Sequence, residues 1–482
     1  MAKKLKKFKK KVTLASRGIA IVLLLLSLVF FGMLITMKVV PTKYIALILG
    51  VYFSLFTLGA FFQWHSKIKV GFKYFFDLVS VVMIVAISFG IFYMYKTMDF
   101  MGRIGAKDYQ IEDYYVLVLK DAKYKKLEDV KGLTLGVSPN DTGSYEEALT
   151  SLTEKVSIET KDYEDFMKMG ADLLNHKLEA IYLTSSQKSM IEEEDETFEG
   201  KVRILSIVSI KVKNEVVKKE AKVTEEPFNI YISGIDIYGN ISSVSRSDVN
   251  MIVTVNPSTH KILLTNIPRD YYVQLHGTTG YKDKLTHAGV YGIDKSIETL
   301  EDLLEIDINY YFRVNFSTLV NIVDAIGGVD VYSDYAFTSL HGNYKFEKGI
   351  NHMNGAQALG FSRERYSFSE GDRQRGKNQQ AVLTAIINKA LSSKTLITKY
   401  TSILESLGDS FQTNMGTDKI YKLVNMQIDK MPSWSIETYS LDGTGASEYT
   451  YSYQHQKLYV MIPDEKTVTT AKNKIDAVEQ GK

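Results

Sequence analysis

Three long uncharged stretches near the N-terminus constrain this chain more than any other feature. They cover Ile19–Met37, Tyr44–Trp64 and Leu78–Tyr95. Each is close to the roughly 20 residues that an α-helix needs to cross a bilayer. The sequence therefore predicts that residues 1–98 form a basic cytoplasmic tail and three transmembrane helices.

The basic residues around these stretches predict their orientation. A run of lysines precedes the first stretch, and Lys67, Lys69 and Lys73 separate the second from the third. The loop between the first and second stretches has only Lys38 and Lys43. By the positive-inside rule the N-terminus is cytoplasmic, and three crossings put everything after Lys96 outside the cell. No cleavage site of small residues follows the first stretch, so we expect no removed signal peptide.

Composition excludes some classes of function. The chain has no cysteine, which rules out disulfides and thiolate metal sites. Its formal net charge of +2 gives no support for a nucleic-acid partner, and topology explains the N-terminal lysine run more simply. We therefore expect a multi-pass protein of the cell membrane with globular extracellular domains.

Residues 106–210 have a globular composition and predict a small accessory α/β domain. Strands are expected at Tyr115–Leu119, Leu133–Val137 and Ala180–Leu183, with helices in the SYEEALTSL segment and around Phe166–Leu174. The phrase KLEDVKGLTLGVSPNDTGS is similar to one lobe of solute-binding proteins, but an accessory or docking domain is the preferred interpretation. Residues 211–226 are charged and poorly patterned, which indicates a linker or an exposed edge.

Four charged residues lie at the ends of three apolar strands in the last region, residues 227–482. The predicted strands are Phe228–Gly234, Val249–Val255 and Lys261–Ile267. An Asn-Pro-Ser turn predicts a hairpin between the second and third strands, and antiparallel pairing of the first and second would bring all the charges to one edge. A surface salt-bridge cluster is the simpler alternative. The charged residues that would share this edge are Asp236, Arg246, Asp248 and Arg269.

A second set of arginines follows near residue 363. Arg363 and Arg365 are two apart on a predicted strand and would share a face. Asp372 is expected to cap a helix whose inward stripe includes Arg375, Gln379, Val382, Leu383, Ile386 and Ala390. A buried arginine needs a counter-charge, which Glu364, Glu370, Asp372 or a bound phosphate could supply. We favour phosphate, because these carboxylates are too few and because arginine matches phosphate oxygens.

Other charged residues have simpler interpretations. Arg313 is expected in an ordinary ion pair, and Arg373 and Lys377 are expected at the surface or the rim of the site. Lys284 and His287 are weaker site candidates, and the eight histidines form no metal-binding spacing. Alternating helices and strands predict a mixed sheet covered by helices.

Four blocks in this region resemble the LytR-CpsA-Psr (LCP) family of membrane-anchored phosphotransferases. They are SRSDVNMIVTVNPSTHKILLTNIPRD at Ser245–Asp270, KDKLTHAGVYG at Lys282–Gly292, VDAIGGVDVY at Val323–Tyr332 and QALGFSRERYSFSEGDRQRGKNQQ at Gln357–Gln380. Residues 227–482 would be the LCP catalytic domain. The three-helix front and the inserted domain are similar to the CpsA branch, which handles streptococcal-type capsule.

The resemblance implies a reaction and its participants. A peptidoglycan hydroxyl would attack a polyprenyl-pyrophosphate-linked capsular polysaccharide, at the phosphorus nearest the sugar. Expected partners are this lipid-linked polysaccharide, peptidoglycan, the lipid bilayer and capsule assembly proteins, with no nucleic acid. The alternative is a non-catalytic membrane-anchored regulator of capsule biosynthesis that binds the lipid-linked polymer.

The resemblance also implies roles for individual residues. Arg269, Arg363, Arg365, Arg375 and Gln379 would bind the pyrophosphate, and the catalytic residues would be Arg246, Asp248 and Arg269. Asp236 and Asp248 would hold Mg²⁺ or Mn²⁺, since hard divalent cations favour carboxylate oxygens. Two carboxylates could also indicate glycoside hydrolysis, but a glycoside hydrolase does not need a cluster of arginines. Asp270 is a candidate base.

Overall fold

A computed structural model describes residues 2–37, 42–104, 109–139, 144–213, 219–235, 241–392 and 411–482. Asp236, one of the two predicted metal ligands, lies outside these described residues. The chain divides into two compact units, which are described separately. The first contains residues 1–103, 393–405 and 416–432, and the second contains residues 104–392, 406–415 and 433–482.

Three long apolar helices make up most of the first unit. They are α1 (Ala2–Met37), α2 (Thr42–Trp64) and α3 (Val70–Ile104). Each contains an apolar segment long enough to cross a membrane, in agreement with the three predicted stretches.

The second unit begins with a five-stranded α/β layer. Its strands are ordered β3-β2-β4-β1-β5, with β1 antiparallel to both β4 and β5. The predicted strands and helices of this segment are present. Strand β5, at the edge of the sheet, continues through Lys211–Lys213, so these residues form the exposed edge that was the alternative to a linker. The elements are β1 (Tyr109–Leu119), β2 (Thr134–Val137), α4 (Tyr145–Lys155), β3 (Glu159–Asp162), α5 (Phe166–Leu174), β4 (Ala180–Thr184), α6 (Ser185–Glu194), α7 (Phe198–Lys201) and β5 (Val202–Lys213).

The rest of the chain builds a mixed sheet with helices on both faces. The elements up to residue 325 are β6 (Phe228–Ile235), β7 (Ser247–Asn256), β8 (Lys261–Ile267), β9 (Tyr272–Val273), β10 (Asp283–Lys284), α8 (Leu285–Ala288), α9 (Ile293–Leu304), β11 (Tyr310–Val314) and α10 (Phe316–Ala325). The elements after it are β12 (Val329–Ser333), β13 (Phe337–Thr338), β14 (Lys345–Phe346), β15 (Gly349–Met353), α11 (Gly355–Arg363), α12 (Asp372–Leu391), β16 (Phe411–Thr413), α13 (Thr417–Lys430, in the first unit), β17 (Ser435–Ser440), β18 (Gly443–Glu448), β19 (Leu458–Pro463) and α14 (Glu465–Glu479).

Strand pairing confirms the edge predicted for the charged residues. The six strands are ordered β16-β11-β6-β7-β8-β17, and β7 is antiparallel to both β6 and β8. Ile235 pairs with Ser247, and Ile267 pairs with Asn250. The end of β6, the start of β7 and the end of β8 therefore meet at one edge of the sheet.

The two faces of this sheet are packed differently. On one face Tyr231, Ile252 and Leu263 belong to a dense core with apolar residues of α9 and α14. On the other face Ile232 and Met251 line a large cavity that α10, α11 and α12 help to enclose. Because alternate residues of a strand point to opposite faces, one strand can serve both a packed core and an open cavity.

Buried amide side chains attach helix α12 to the rest of the protein. Gln380 donates to the carbonyl oxygens of Leu264 (3.0 Å) and Tyr439 (2.6 Å), and Asn378 donates to that of Phe361 (3.3 Å). The predicted inward stripe, including Arg375 and Leu383, instead lines the cavity. Arg373 and Lys377 are surface residues, as predicted.

One predicted strand is wrong. Arg363 ends helix α11 and Arg365 lies in the following loop, so the two arginines do not share a strand face. Asn354 explains the helix, because its side chain accepts from the Gln357 amide while the Gln357 side chain accepts from the Asn354 amide, which is a capping box.

Candidate active site

One cavity of about 1520 Å³ collects the predicted site residues. The same elements contribute to its charged end and its apolar end, since β7 and α12 supply residues to both. The predicted residues that line it are Arg246, Asp248, Arg269, Arg363, Arg365, Arg375 and Gln379. The apolar lining includes Ile232, Met251, Phe316, Leu319, Val382, Leu383 and Ile386.

Asp248 lies at the centre of the charged end. Its Oδ1 accepts a hydrogen bond from Arg269 Nη1 at 2.8 Å, and its Oδ2 lies 3.9 Å from Arg246 Nη2. Burial alone would raise the pKa of Asp248, but the neighbouring guanidinium groups of Arg246 and Arg269 lower it to about 2. Asp248 is therefore ionised at neutral pH.

Arg269 is surrounded by carboxylates. Besides Asp248, it lies 3.6 Å from Asp270 and 3.6 Å from Glu193. Burial raises the pKa of Asp270, and this effect outweighs the opposing effects of Arg269 and Lys284. Asp270 Oδ1 accepts no hydrogen bond within the described part of the chain.

Carboxylates other than the three considered in the sequence supply most of the counter-charge for these arginines. Arg375 Nη2 lies 2.6 Å from Asp372, one turn away on α12, and Arg269 has three acidic neighbours. Asp372 is in the first turn of α12 and Gly371 is the cap residue, so its carboxylate serves Arg375 rather than the helix end. Much of the cationic charge is therefore already balanced by protein carboxylates.

Glu193 is the main residue that the sequence analysis missed. It belongs to α6 of the five-stranded α/β layer and pairs with Arg246, Arg269 and Lys284. Burial alone would raise its pKa, but Arg246, His287, Arg269 and Lys284 together hold it well below the usual value. The acidic run at 192–196 was the only signal, and it did not reveal which carboxylate would reach the site.

A short segment from the second sequence block brings Lys284 and His287 to Glu193. Lys284 Nζ lies 3.0 Å from Glu193, and His287 Nε2 lies 3.7 Å from it. His287 Nδ1 is 2.7 Å from Asp283 Oδ1. Gly289 permits this approach, because a Cβ there would lie 2.6 Å from the carbonyl oxygen of Ser245.

The opposite wall carries Arg363 and Arg365. The Arg363 guanidinium lies 4.0 Å from the centre of the Phe316 ring, a cation-π geometry. Arg365 donates to the Tyr366 hydroxyl at 2.6 Å and to Glu196 at 3.4 Å.

The two other carboxylates considered for these arginines have different partners. Glu364 accepts from the backbone amides of Leu340 (2.6 Å) and Ser367 (2.9 Å). Glu370 pairs with Lys377 at 2.7 Å. Neither is a described counter-ion of the cavity arginines. Of the three carboxylates predicted as counter-charges, only Asp372 therefore pairs with one of these arginines.

Arg313 does not form the expected ion pair within the described ranges. It is fully buried and donates to the carbonyl oxygen of Ser243 at 2.7 Å, while its Nε and Nη1 have no partner among those residues. Burial lowers its pKa to about 10.

Asp248 is suited to bind a cation. Its Oδ2 is buried and accepts no hydrogen bond from any described residue, and Asp248 is one of the residues that line the cavity. No group of three metal-ligating side chains occurs among the described residues, a set that excludes Asp236. The chemistry of the available oxygen is that of a Mg²⁺ or Mn²⁺ ligand.

The model of the LytR_cpsA_psr family matches residues 178–474, which is more than half of the chain. The chain belongs to this family. Its LCP region is 36% identical, over 207 residues, to the polyisoprenyl-teichoic acid–peptidoglycan teichoic acid transferase TagU of Bacillus cereus. It is 35% identical, over 254 residues, to biofilm regulatory protein A of Streptococcus mutans.

These LCP relatives are matched over part of their length. The alignments cover 42% of this chain and 66% of the Bacillus cereus protein, and 49% of this chain and 61% of the Streptococcus mutans protein. Among solved structures, Bacillus subtilis TagV is 29% identical with a TM-score of 0.45, covering 52% of this chain and 96% of TagV. A Streptococcus agalactiae protein is 29% identical with a TM-score of 0.47, covering 55% and 92%.

Proposed function

We propose that this chain is a membrane-anchored phosphotransferase that moves capsular polysaccharide from a polyprenyl-pyrophosphate carrier to peptidoglycan. The observation that carries this proposal is the cavity, which joins a cluster of arginines to a long apolar lining. A lipid pyrophosphate has the same two-part chemistry. Its charged head requires hydrogen-bond donors, and its hydrocarbon tail must be kept from water.

The arginines would bind the pyrophosphate from two sides. Arg363, Arg365, Arg375 and Gln379 come from the α11–α12 wall, and Arg269 comes from the end of β8. Guanidinium groups form charge-assisted, often bidentate hydrogen bonds with phosphate oxygens. The carrier would exchange with, or bind beside, the carboxylates that now pair with Arg269 and Arg375.

The proposed reaction is a single displacement at phosphorus. A peptidoglycan hydroxyl oxygen forms a bond to the phosphorus nearest the sugar, and the bond from that phosphorus to the bridging oxygen breaks. Polyprenyl phosphate departs with the bonding electron pair, and the hydroxyl proton passes to a base. Asp270 suits this role, since its raised pKa makes it a stronger base than an ordinary aspartate.

Asp248 would hold a divalent cation of the Mg²⁺ type together with Asp236. The orphaned Oδ2 of Asp248 supports the assignment, and Arg246 would keep this carboxylate oriented. When bound, the cation would neutralise phosphate charge and stabilise the charge that develops on the departing phosphate.

The same proposal includes an orientation in the membrane. The lysine asymmetry supports a cytoplasmic N-terminus, which would put the cavity on the outer side where peptidoglycan lies. The transferase named TagU supports a peptidoglycan acceptor, while the specific polymer is inferred from the resemblance to the CpsA branch.

A transfer assay tests the proposed function. The full chain in lipid nanodiscs would be incubated with lipid-linked capsular polysaccharide and peptidoglycan, followed by muramidase digestion and mass spectrometry. We expect a polysaccharide joined to a muropeptide through a phosphodiester, together with free polyprenyl phosphate. The name of the Streptococcus mutans relative favours a second candidate, a regulator that binds the polymer without turnover. Binding without either product would select that candidate.

A further inference from the structure

One face of α6 contacts the chain segment that carries the catalytic candidates. Ser185, Ser189 and Glu193 are spaced four residues apart, so they form one stripe on the helix. Ser185 donates to the carbonyl oxygen of Val244 at 2.9 Å, and the two other residues accept hydrogen bonds from Arg246. The stripe therefore contacts the chain from Val244 to Arg246, immediately before β7 begins.

Arg246 takes its orientation from this helix. Its Nε donates to Ser189 Oγ at 2.8 Å, and its Nη1 donates to Glu193. Its third nitrogen, Nη2, is directed to Asp248 at 3.9 Å. Two fixed contacts determine the plane of a guanidinium group. Helix α6 therefore determines which edge of the Arg246 guanidinium faces Asp248.

Glu193 also sets the charge balance of this part of the site. Its carboxylate contacts Arg246, Arg269, Lys284 and His287, and it is nearly fully buried. A buried anion shared by several cations stays ionised and holds them at fixed distances from one another. Arg375 has a separate partner, Asp372, which leaves the α12 side of the cavity outside this network.

The helix is itself firmly attached. Thr184 and Gln187 form a capping box at its start. Backbone hydrogen bonds join Ile111 to Ser242 (2.8 Å) and Val244 (2.7 Å), and Asp113 accepts from both Ser209 (2.5 Å) and Ser243 (2.6 Å). The five-stranded layer is thus connected to the segment before β7 through β1 as well as through α6.

We propose that Glu193 and Ser189 are positioning residues that hold Arg246 for phosphate transfer. The five-stranded α/β layer is then a structural part of the active site, since it supplies the wall that orients a catalytic arginine. This inference rests on the proposed transferase function. It predicts that losing Glu193 lowers turnover more than it weakens carrier binding, because the α12 groups remain.

The test compares Glu193→Gln and Ser189→Ala with a matched control, Asp195→Asn, in the full chain in nanodiscs. Asp195 directly follows α6 and accepts hydrogen bonds from the backbone amide and the hydroxyl of Thr197, and it is not part of the cavity lining. We expect Glu193→Gln to lower kcat about 10- to 100-fold, as loss of an outer-shell partner does at other sites, with KM and carrier Kd within about 3-fold of wild type. Ser189→Ala should lower kcat less, Glu193→Asp should restore part of it, and Asp195→Asn should resemble wild type.

A second readout reports on Arg246 directly. The ¹⁵N signal of its Nε–H should be protected from solvent exchange in wild type and in Asp195→Asn, and should lose protection in Ser189→Ala and Glu193→Gln. Wild-type turnover in Glu193→Gln would overturn the proposal, as would faster turnover or tighter binding, which would make Glu193 a blocking residue. If wild type binds the carrier without transferring it, the proposed function fails, while the Nε signal still decides whether α6 holds Arg246. A loss of fold in Glu193→Gln leaves Ser189→Ala, which removes one hydroxyl, as the deciding variant.

Discussion

Arg269 donates to Asp248 across 2.8 Å, which ties the end of β8 to the second residue of β7. Both side chains are nearly buried, at 11% and 12% exposed, so this pair is shielded from solvent screening. Its carboxylate stays ionised far into the acid range, and its removal would affect folding as well as chemistry.

Asp248 should make the stability of the protein depend on acid pH. Its pKa is about 2 when folded and 3.8 ordinarily, so the stabilisation is present above about pH 4 and is lost as the pH falls towards 2. Two pKa units correspond to about 2–3 kcal/mol. Chemical unfolding of wild type and Asp248→Asn should differ by about this free energy at pH 7. The difference should shrink at pH 3, and a constant difference would contradict the assignment.

Arg375 and Arg373 provide a matched test of carrier binding. They lie two residues apart on α12, but Arg375 lines the cavity and Arg373 is at the surface with Asp442. Arg375→Ala should weaken binding of a polyprenyl-pyrophosphate probe by about 2–3 kcal/mol, the contribution of a charge-assisted contact. Arg373→Ala should bind like wild type in the same fluorescence titration. Equal loss in both variants would show a general electrostatic effect instead.

Arg269 is a poorer choice for that experiment. Its loss would leave Asp248, Asp270 and Glu193 as buried carboxylates with one cation fewer, which costs several kcal/mol of folding free energy. A reduced binding signal from Arg269→Ala would therefore mix unfolding with lost contact.

Replacing Asp248 by Asn should separate binding from transfer. We expect Asp248→Asn to retain most carrier binding, because the α12 arginine remains, and to lose polymer transfer and its dependence on divalent cations. Transfer rates with and without chelator, measured alongside probe binding, check this. Wild-type rates in the variant, or indifference of wild type to chelator, would exclude the metal-assisted mechanism and favour the regulator.

Large side chains placed in the apolar end of the cavity should select against long carriers. Leu319 and Ile386 line it, whereas Ile350 is 68% exposed and lies outside it. Leu319→Trp and Ile386→Trp should weaken binding of an undecaprenyl pyrophosphate more than that of a short-chain analogue, and Ile350→Trp should affect neither. Loss that is independent of chain length would mean that the tail does not occupy this cavity.

The predicted orientation can be checked with reporters. A reporter fused after Gly102 should be active only outside the cell, and one inserted at His65 only inside, because the lysine-rich segments are retained in the cytoplasm. The reverse pattern would separate the cavity from peptidoglycan and contradict the proposed function.

The sequence was most informative where local pattern determines the fold. Strand periodicity located β6, β7 and β8 to within a few residues, and antiparallel pairing alone predicted that Asp248 and Arg269 would meet. Arg363 and Arg365 were misplaced because the capping box at Asn354 was not recognised, so a helix end was interpreted as a strand.

The partners of the arginines could not be found in this way. Glu193 lies more than fifty residues before Arg246, on helix α6 of the five-stranded layer, and no periodicity relates two elements that meet only through tertiary packing. For the same reason, the carboxylates close to the arginines in the sequence were too few to account for all their counter-charges. The relevant set is fixed by which surfaces pack together.

The amide hydrogen bonds of α12 have a consequence for how this cavity can change. Gln380 and Asn378 anchor the helix to backbone carbonyl oxygens, whereas Leu383 and Ile386, on the stripe between them, line the cavity. We expect substitutions at these two positions to widen or narrow the cavity while the amide anchors keep Arg375 in place on the same helix. Under the proposed function, such point mutations would change the carrier length that the cavity accepts without altering its charged end.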